Sequence, residues 1–284
     1  MEMARAMARW MALAGLLSLP ASMAAAATPV AGTYVALGSS YAAGTSLPRM
    51  ADDSPAGCGQ GTENYPRRVA QALKLKLVDR SCGGATTVHI LQGGQFGLPA
   101  QIAAVGEDTG LVTVTIGGND VRFTADLGRF SCLNKAGQGA ACGEAPADFD
   151  LDRAFTVLEA NLRAITAEIH RRAPRARIVL VDYVTVTPPE GTCAGLALNL
   201  EEAGLLRARA ARLAALTAKV AKDAGAVLIE ASKLTQSHHA CSADPWVWGY
   251  ASAAERATSN AVPFHPRPAA ITAVAKAVVQ RLQQ

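Results

Sequence analysis

Short, nearly continuous apolar runs recur along the chain, alternating with longer segments whose apolar residues follow a helical period. Continuous apolar runs are typical of strands that are covered on both faces, as in a parallel sheet. The alternation therefore predicts an α/β fold, a three-layer α/β/α sandwich with a central, mostly parallel sheet. The runs that predict strands are Thr33 to Leu37, Leu75 to Val78, Leu111 to Ile116, Arg177 to Tyr183 and Ala226 to Glu230.

Four segments carry apolar residues at steps of three and four, the spacing of a helix with one buried face. In the predicted helix from Leu151 to Ile169, Asp150 or Asp152 can cap the start, and Pro174 ends the pattern. Residues 124–149 and 185–200 lack any period and predict ordered loops, of the kind that build binding sites after strands. The predicted helices are Tyr65 to Leu75, Leu151 to Ile169, Leu206 to Val220 and Ile271 to Leu282.

The first residues have the pattern of a secretory signal peptide. Arg5 and Arg9 precede the apolar stretch Trp10 to Met23, and a run of four alanines follows it. The stretch is short for a membrane span of roughly 20 residues, which favours cleavage near Ala26 or Ala27 over an uncleaved anchor. We therefore expect residues 1–27 to be a leader and residues 28–284 to form a single domain with no stable membrane span.

The charge balance gives no reason to expect a nucleic-acid partner, because the formal net charge of the whole chain is only +4. Basic residues cluster in residues 171–177 and at Arg207, Arg209 and Arg212, which we interpret as solvated helix ends or faces. We expect a monomer.

Six cysteines remain after the leader, and an even number in an exported chain predicts three disulfides. Six cysteines allow fifteen pairings, of which the simplest joins neighbours along the chain. No two cysteines have the Cys-x-x-Cys spacing of a zinc site, so we expect no metal. The neighbour pairing is Cys58 with Cys82, Cys132 with Cys142, and Cys193 with Cys241.

Two glycine-rich blocks follow predicted strands, Gly38-Ser39-Ser40 and Gly117-Gly118-Asn119. The carboxyl ends of parallel strands meet at one edge of a sheet, so the two blocks are expected to lie together. Ser40 can serve there as a nucleophile at the start of a helix. Its backbone N–H, the backbone N–H of Gly84 and the side-chain amide of Asn119 can stabilise an oxyanion.

A general base is also present, and His265 is the best candidate among the five histidines. It stands in the block Phe264-His265-Pro266, just before the last predicted helix. A serine, an oxyanion donor and a histidine in this order predict a serine esterase. The other four are expected to be solvated or to pack structurally: His89, His170, His238 and His239.

These blocks resemble those of the SGNH hydrolases, also called the GDSL esterase/lipase family, and in particular the secreted three-disulfide branch typified by actinobacterial esterases. The family's Gly-Asp-Ser block corresponds to residues 38–40, and its Gly-x-Asn-Asp block is met in full by residues 117–120. The glycine of the second block maps to Gly84, with Gly83 as the near alternative. The histidine and proline of the last block are His265 and Pro266. The similarity extends over about residues 33–283.

The resemblance implies a flavodoxin-like sheet, the nucleophile at Ser40, the base at His265 and an oxyanion hole from Ser40, Gly84 and Asn119. No cofactor is needed for this chemistry. The α/β-hydrolase pattern Gly-x-Ser-x-Gly is not met, because position 42 is Ala.

Two departures from the family pattern stand out. The Asp before the nucleophile is Ser39, which adds a rival hydroxyl, although the register from Gly38 favours Ser40. The Asp expected three residues before the histidine is Val262, so the usual triad acid is absent. Some members of the resembling branch orient the histidine with a main-chain carbonyl, and we expect the carbonyl of Val262 to do so here. Asp244 is the rival acid.

The predicted function is a secreted carboxylic ester hydrolase, an esterase or lipase that works through an acyl-enzyme. Acyl lipids, phospholipids, acetylated polysaccharides and plant-polymer esters are all suitable substrates. The loops that hold the last two cysteine pairs, with Trp246 and Trp248, are expected to shape the acyl pocket. Two alternatives stay open: a non-catalytic envelope or carbohydrate-binding protein on the same scaffold, and an acyltransferase.

Overall fold

Five parallel strands form one sheet in the order β2-β1-β3-β4-β5. The structure is a computed structural model, and it describes residues 30–137, 141–251, 256 and 261–284. All five apolar runs form strands, so the predicted α/β class with a parallel central sheet is confirmed. The strands are β1 (Thr33–Gly38), β2 (Lys76–Asp79), β3 (Thr109–Thr115), β4 (Arg177–Val181) and β5 (Val227–Ile229).

Helices flank the sheet in two groups. In one, α2 (Tyr65–Leu73) packs against α8 (Pro268–Gln283); in the other, α5 (Leu151–Arg172) packs against α3 (Thr87–Leu91) and α6 (Leu200–Asp223). The four predicted helices are present as α2, α5, α6 and α8. The helix bounds are α1 (Ser40–Ala43), α2 (Tyr65–Leu73), α3 (Thr87–Leu91), α4 (Phe123–Ala136), α5 (Leu151–Arg172), α6 (Leu200–Asp223), α7 (Ala231–Leu234) and α8 (Pro268–Gln283).

Local capping explains where the two longest helices begin. The Asp150 carboxylate accepts the Arg153 backbone N–H at 3.0 Å at the start of α5. At the start of α6, Asn199 and Glu202 form a reciprocal capping box. That box extends α6 one and a half turns before Leu206, where the apolar period first becomes visible. The sequence prediction therefore placed the start of this helix too late.

The prediction of a loop over residues 124–149 is wrong in its first half, because α4 forms there. The helix buries Phe123 and Leu127 and fixes Ser131, whose hydroxyl donates to the Leu196 carbonyl at 2.7 Å. The buried face of α4 also contains the polar residues Asp126 and Ser131, so hydrophobic patterning gave only a weak signal. Residues 185–199 form neither helix nor strand, as predicted.

The strand order reverses at β1, which lies between β2 and β3. A ligand crevice forms at such a switch point, outside the carboxyl ends of the strands. Gly38 makes the turn that leaves β1: its φ is +149°, and a Cβ there would lie 2.5 Å from the Thr115 carbonyl oxygen. The next residue, Ser39, donates its backbone N–H to that same oxygen at 2.9 Å. A glycine is thus required for β1 to end against β3.

Three disulfides join the cysteines in neighbour order, Cys58–Cys82, Cys132–Cys142 and Cys193–Cys241. The first ties residues 48–61 to the segment after β2, and the third ties the segment after β4 to residues 235–250. The predicted signal peptide lies outside the described residues. Within the part of the chain that the structure describes, no helix is both long and apolar enough to cross a membrane.

The interpretation of Arg209 as a solvated residue is wrong. Its side chain is only 11% exposed and binds the buried carboxylate of Asp126 at 2.5 Å. Arg122 approaches the other oxygen of that carboxylate at 3.0 Å. Arg209 also donates to the carbonyl oxygens of Val121 and Arg122. This cluster joins α6 to the segment between β3 and α4.

We expect Arg209→Ala to lower the free energy of unfolding by about 2–4 kcal/mol, because it leaves a buried carboxylate with one of its two cations. Chemical denaturation would measure this. Lys219→Ala is the matched control on the same helix, since its ion pair with Glu159 is solvent-exposed and should contribute no more than about 1 kcal/mol. Equal losses for the two variants would contradict the importance of the buried cluster.

Candidate active site

Ser40 and His265 meet at the carboxyl edge of the sheet although they are 225 residues apart in the chain. The distance between Ser40 Oγ and His265 Nε2 is 2.8 Å, and both residues are largely buried, at 7% and 8% exposure. Ser40 is the first residue of α1, directly after the turn at Gly38 and Ser39. His265 lies on the segment 262–267, which we call the histidine loop, just before α8.

A main-chain carbonyl orients the imidazole. His265 Nδ1 lies 2.7 Å from the carbonyl oxygen of Pro263. A carbonyl can only accept, so Nδ1 carries the proton, and in the neutral ring Nε2 is left as an acceptor for the Ser40 hydroxyl. The ring is thereby held in the tautomer that a general base requires.

The acceptor is the carbonyl of Pro263, whereas the sequence led us to expect that of Val262. The Val262 carbonyl instead accepts the backbone N–H of His265 at 3.3 Å, closing a tight turn. The reason is the backbone of Phe264, whose φ of +63° lies in the left-handed region. This conformation turns the chain so that the carbonyl of residue 263 faces the imidazole, and the strain is typical of functional turns.

Surrounding contacts hold the histidine loop in its strained conformation. The Tyr41 hydroxyl donates to the Phe264 carbonyl, and the Tyr41 ring centroid lies 5.1 Å from that of His265. Ser46 Oγ donates to the Pro266 carbonyl. Tyr41 immediately follows the candidate nucleophile, so one short segment of chain positions both Ser40 and the imidazole.

Trp246 and Trp248 support the histidine loop from its other side. The Trp248 N–H donates to the His265 carbonyl at 2.9 Å, and the Phe264 N–H donates to the Trp248 carbonyl at 3.0 Å. The Arg267 guanidinium lies 4.1 Å from the centroid of the Trp248 ring. The Trp246 carbonyl accepts the Arg267 N–H at 2.8 Å. Both tryptophans therefore contact the segment that carries His265, and Trp246 also stacks on His238.

Asp244 does not approach His265. Its carboxylate accepts the indole N–H of Trp246 at 3.0 Å and lies 3.4 Å from Nδ1 of His238. The side chain of Asp244 is 76% exposed. The His238 and Trp246 rings are stacked at 3.8 Å, which explains why this acid turns towards them.

Burial lowers the pKa of His265 from 6.5 to about 4, and the hydrogen bond to Pro263 opposes this shift. A neutral carbonyl offers only a partial charge to an imidazolium, whereas a carboxylate offers a full one. Desolvation therefore dominates, and the imidazole is neutral over the whole physiological pH range.

The hydroxyl of Ser39 contacts Tyr183 and not His265. Ser39 is 1% exposed, and its Oγ lies 3.1 Å from the Tyr183 hydroxyl. The same hydroxyl accepts the Gly118 N–H at 2.9 Å. The residue that replaces the family's Asp thus links the Ser40 turn to the loop after β3 through Tyr183.

The segment 82–86, which we call the oxyanion loop, lies next to the Ser40 turn. The Cys82 N–H donates to the Gly38 carbonyl at 3.0 Å. The Gly83 N–H is occupied, since it donates to the Cys58 carbonyl at 2.8 Å. No acceptor among the described residues receives the Gly84 N–H, and Gly84 is exposed with a φ of +77°. Of the two glycines, only Gly84 has a free donor.

Asn119 is held against the oxyanion loop. One hydrogen of its Nδ2 is donated to the Ala85 carbonyl at 2.8 Å, and the Thr124 hydroxyl donates to its Oδ1 at 3.4 Å. The second Nδ2 hydrogen is left for a ligand. The neighbouring Asp120 accepts the Thr87 backbone N–H at 3.0 Å, which anchors the start of α3 to the same block.

Several residues that build this site were not found from the sequence. The Gln101 side chain hydrogen-bonds to both backbone groups of Gly38: its Oε1 accepts the Gly38 N–H at 2.8 Å, and its Nε2 donates to the Gly38 carbonyl at 3.1 Å. Tyr41, Tyr183 and Pro263 act through positions that only the fold brings together. The adjacency of Tyr41 to Ser40 was the one available signal, because a large side chain beside the nucleophile must pack close to the site.

Residues 36–270 match the GDSL-like Lipase/Acylhydrolase family. The chain is 31% identical over 285 residues to Lipase 2 of Streptomyces coelicolor, an alignment that covers 92% of this chain and 91% of that protein.

Two solved structures share the fold. An extracellular lipase from Streptomyces rimosus has a TM-score of 0.68 at 26% identity, covering 89% of this chain and 100% of the other. A phospholipase A1 from Streptomyces albidoflavus has a TM-score of 0.70 at 24% identity, with the same coverage. The chain belongs to the GDSL-like lipase/acylhydrolase family and is a carboxylic ester hydrolase.

Proposed function

We propose that the protein is a secreted serine esterase or lipase in which Ser40 and His265 act as a catalytic dyad. The observation that carries this proposal is the pair of hydrogen bonds at the imidazole, from Nε2 to Ser40 Oγ at 2.8 Å and from Nδ1 to the Pro263 carbonyl at 2.7 Å. They supply an activated nucleophile and a base in the correct tautomer without a carboxylate.

The mechanism follows from these positions. Ser40 Oγ attacks the ester carbonyl while His265 Nε2 takes its proton, giving a tetrahedral oxyanion and an imidazolium. His265 returns the proton to the leaving alcohol, and the acyl group stays on Ser40. Water then enters, loses a proton to His265 and attacks the acyl-enzyme. As this second tetrahedral intermediate collapses, His265 returns the proton to Ser40 Oγ and the acid is released.

The oxyanion is stabilised by three donors, the N–H groups of Ser40 and Gly84 and the free Nδ2 hydrogen of Asn119. They belong to the segments that follow β1, β2 and β3, and the hydrogen bonds from Cys82 to Gly38 and from Asn119 to Ala85 join those segments. Loss of one such donor typically lowers the rate by about 10²–10³-fold.

Export is supported by two features. Residues 1–27 have the sequence of a signal peptide, and three disulfides join the cysteines of the rest of the chain. We infer that residues 28–284 are the exported catalytic domain and act as a monomer.

The substrate class is an acyl ester, and the names of the relatives, lipase and phospholipase A1, favour acyl lipids over acetylated polymers. A groove of about 350 Å³ lies between the segment after β4 and α6. Val184 and Val186 line it together with Arg207 and Lys233. Neither Ser40 nor His265 lines the groove, so we do not assign the acyl chain to it.

We expect Ser40→Ala to lower hydrolysis of a p-nitrophenyl ester series, from acetyl to long acyl, by at least about 10⁴-fold, because among the described residues Ser40 carries the hydroxyl that contacts His265 Nε2. A serine-directed phosphonate should label the wild-type chain at Ser40, as mass spectrometry of peptides would show. Ser39→Ala is the control and should still be labelled. Hydrolysis without labelling, or with labelling at Ser39, would contradict the proposal, and inactivity of the wild type on every ester would favour a binding protein.

The pH dependence of kcat/KM should show an acidic limb near pH 4, because His265 must be neutral to accept the Ser40 proton and its pKa is about 4. An ordinary histidine would place the limb near 6.5. The unfolded chain gains this proton below pH 6.5 and the folded chain only near pH 4, so stability falls as the pH falls. Circular dichroism at each pH separates unfolding from loss of the base. A limb near 6.5 in a folded enzyme would contradict the assignment.

We expect Asp244→Asn to keep kcat within about twofold of the wild type, because its carboxylate faces Trp246 and not the imidazole. Tyr41→Phe serves as the comparison, since it removes the donor to the Phe264 carbonyl and should lower kcat several-fold by loosening the histidine loop. Steady-state kinetics of both variants would measure this. Loss of turnover in a folded Asp244→Asn protein would replace the dyad with a triad.

A further inference from the structure

A glutamine side chain lies directly behind the oxyanion loop. Gln95 Nε2 donates to the carbonyl oxygen of Gly83 at 2.7 Å. It is also the nearest atom to the position that a Cβ on Gly84 would take, at 3.7 Å. A carbonyl only accepts, so this contact fixes which end of the amide is Nε2.

The contact controls the direction of the Gly84 N–H. The carbonyl of Gly83 and the N–H of Gly84 belong to one planar, trans peptide unit and point in opposite directions. The opposite end of Gly83 is held as well, by its N–H bond to the Cys58 carbonyl. With the oxygen bound to Gln95, the N–H of the same unit can only point away from Gln95.

Stability does not explain the presence of Gln95. Its Oε1 is buried and has no hydrogen-bond partner among the described residues. A buried amide with one end unsatisfied contributes little net stability, because an apolar side chain in its place would free the Gly83 carbonyl but would also remove the unpaired Oε1. The donor at Nε2 is therefore the feature that distinguishes glutamine at this position.

The backbone around Gln95 is fixed. The Gly94 N–H donates to the Leu98 carbonyl at 2.9 Å, and the Leu98 N–H returns to the Gln95 carbonyl at 2.9 Å. Phe96 is strained, with a φ of +51°, and its ring packs against Gly57 beside the first disulfide. The fixed backbone of this turn restricts the positions that the Gln95 side chain can take.

We propose that Gln95 is a positioning residue, which holds the Gly83–Gly84 peptide so that the Gly84 N–H is directed at the oxyanion. This inference rests on the proposed function. Gln95 does not touch the reacting atoms. It acts by making the donor rigid before the negative charge develops, which is how preorganised donors accelerate acyl transfer.

The test uses Gln95→Met, which keeps the shape of the side chain and removes the donor. We expect kcat on a p-nitrophenyl ester to fall by about tenfold, less than for outright loss of a donor. KM should stay within twofold, because the oxyanion exists only in the transition state. The melting temperature should change little, because the unpaired Oε1 is removed together with the donor.

Gln92→Met is the matched control: its exposed side chain lies three residues earlier, and its kcat, KM and melting temperature should equal those of the wild type. Gln95→Glu gives an independent readout. The carboxylate cannot donate to Gly83, whereas the protonated acid can, so its deficit relative to the wild type should shrink as the pH falls.

Wild-type kcat in a folded Gln95→Met protein would overturn the inference, as would a kcat loss that merely follows a lowered melting temperature or a Gln95→Glu deficit that is constant with pH. These results differ from failure of the proposed function, in which the wild type itself shows no Ser40-dependent hydrolysis. In that case both proposals fall together.

Discussion

The site depends on one hydrogen bond, from His265 Nδ1 to the carbonyl of Pro263. It decides which ring nitrogen carries the proton, and so whether Nε2 can face Ser40 as an acceptor. The bond exists because Phe264 adopts a left-handed backbone conformation. This conformation is unfavourable for a bulky residue unless surrounding contacts hold it. Contacts from Tyr41 and from the Trp248 backbone hold the turn, so the packing of two distant segments determines the state of one imidazole.

The other half of the site is built from loops whose relative positions are set by the sheet. Parallel pairing brings the ends of β1, β2 and β3 to one edge, and hydrogen bonds between the loops then fix them to one another. The Cys58–Cys82 disulfide and the Gly83 N–H bond to Cys58 hold the oxyanion loop from outside. Burial at this edge has a second effect. The close packing around His265 removes water from the imidazole, and this desolvation keeps the ring uncharged.

Much of this could be predicted from the sequence, since strands and amphipathic helices leave a periodic signal and the glycine-rich blocks lie just after strands. Ser40, His265 and Asn119 could be recognised because the residues directly beside them in the sequence form characteristic blocks. α4 was missed because it buries few apolar side chains at the helical period. Pro263 was missed because every residue carries a backbone carbonyl, so residue type does not show which one acts as the acceptor. The φ of Phe264 decides which carbonyl faces the ring. The buried pairing of Arg209 with Asp126 was missed because a charged residue on a helix gives the same pattern whether or not it has a partner.

The carbonyl that orients His265 has an implication for sequence variation. A side-chain acid is deleted by a single codon change, but every amino acid carries a main-chain oxygen, so no substitution at position 263 can delete this acceptor. Only a change that redirects the backbone, at Phe264 or at the contacts that hold it, can take the acceptor away. Substitutions that disturb the orientation of His265 are therefore expected at the residues that shape the turn, and not at the residue whose carbonyl contacts the imidazole. Position 262 can accordingly carry a valine.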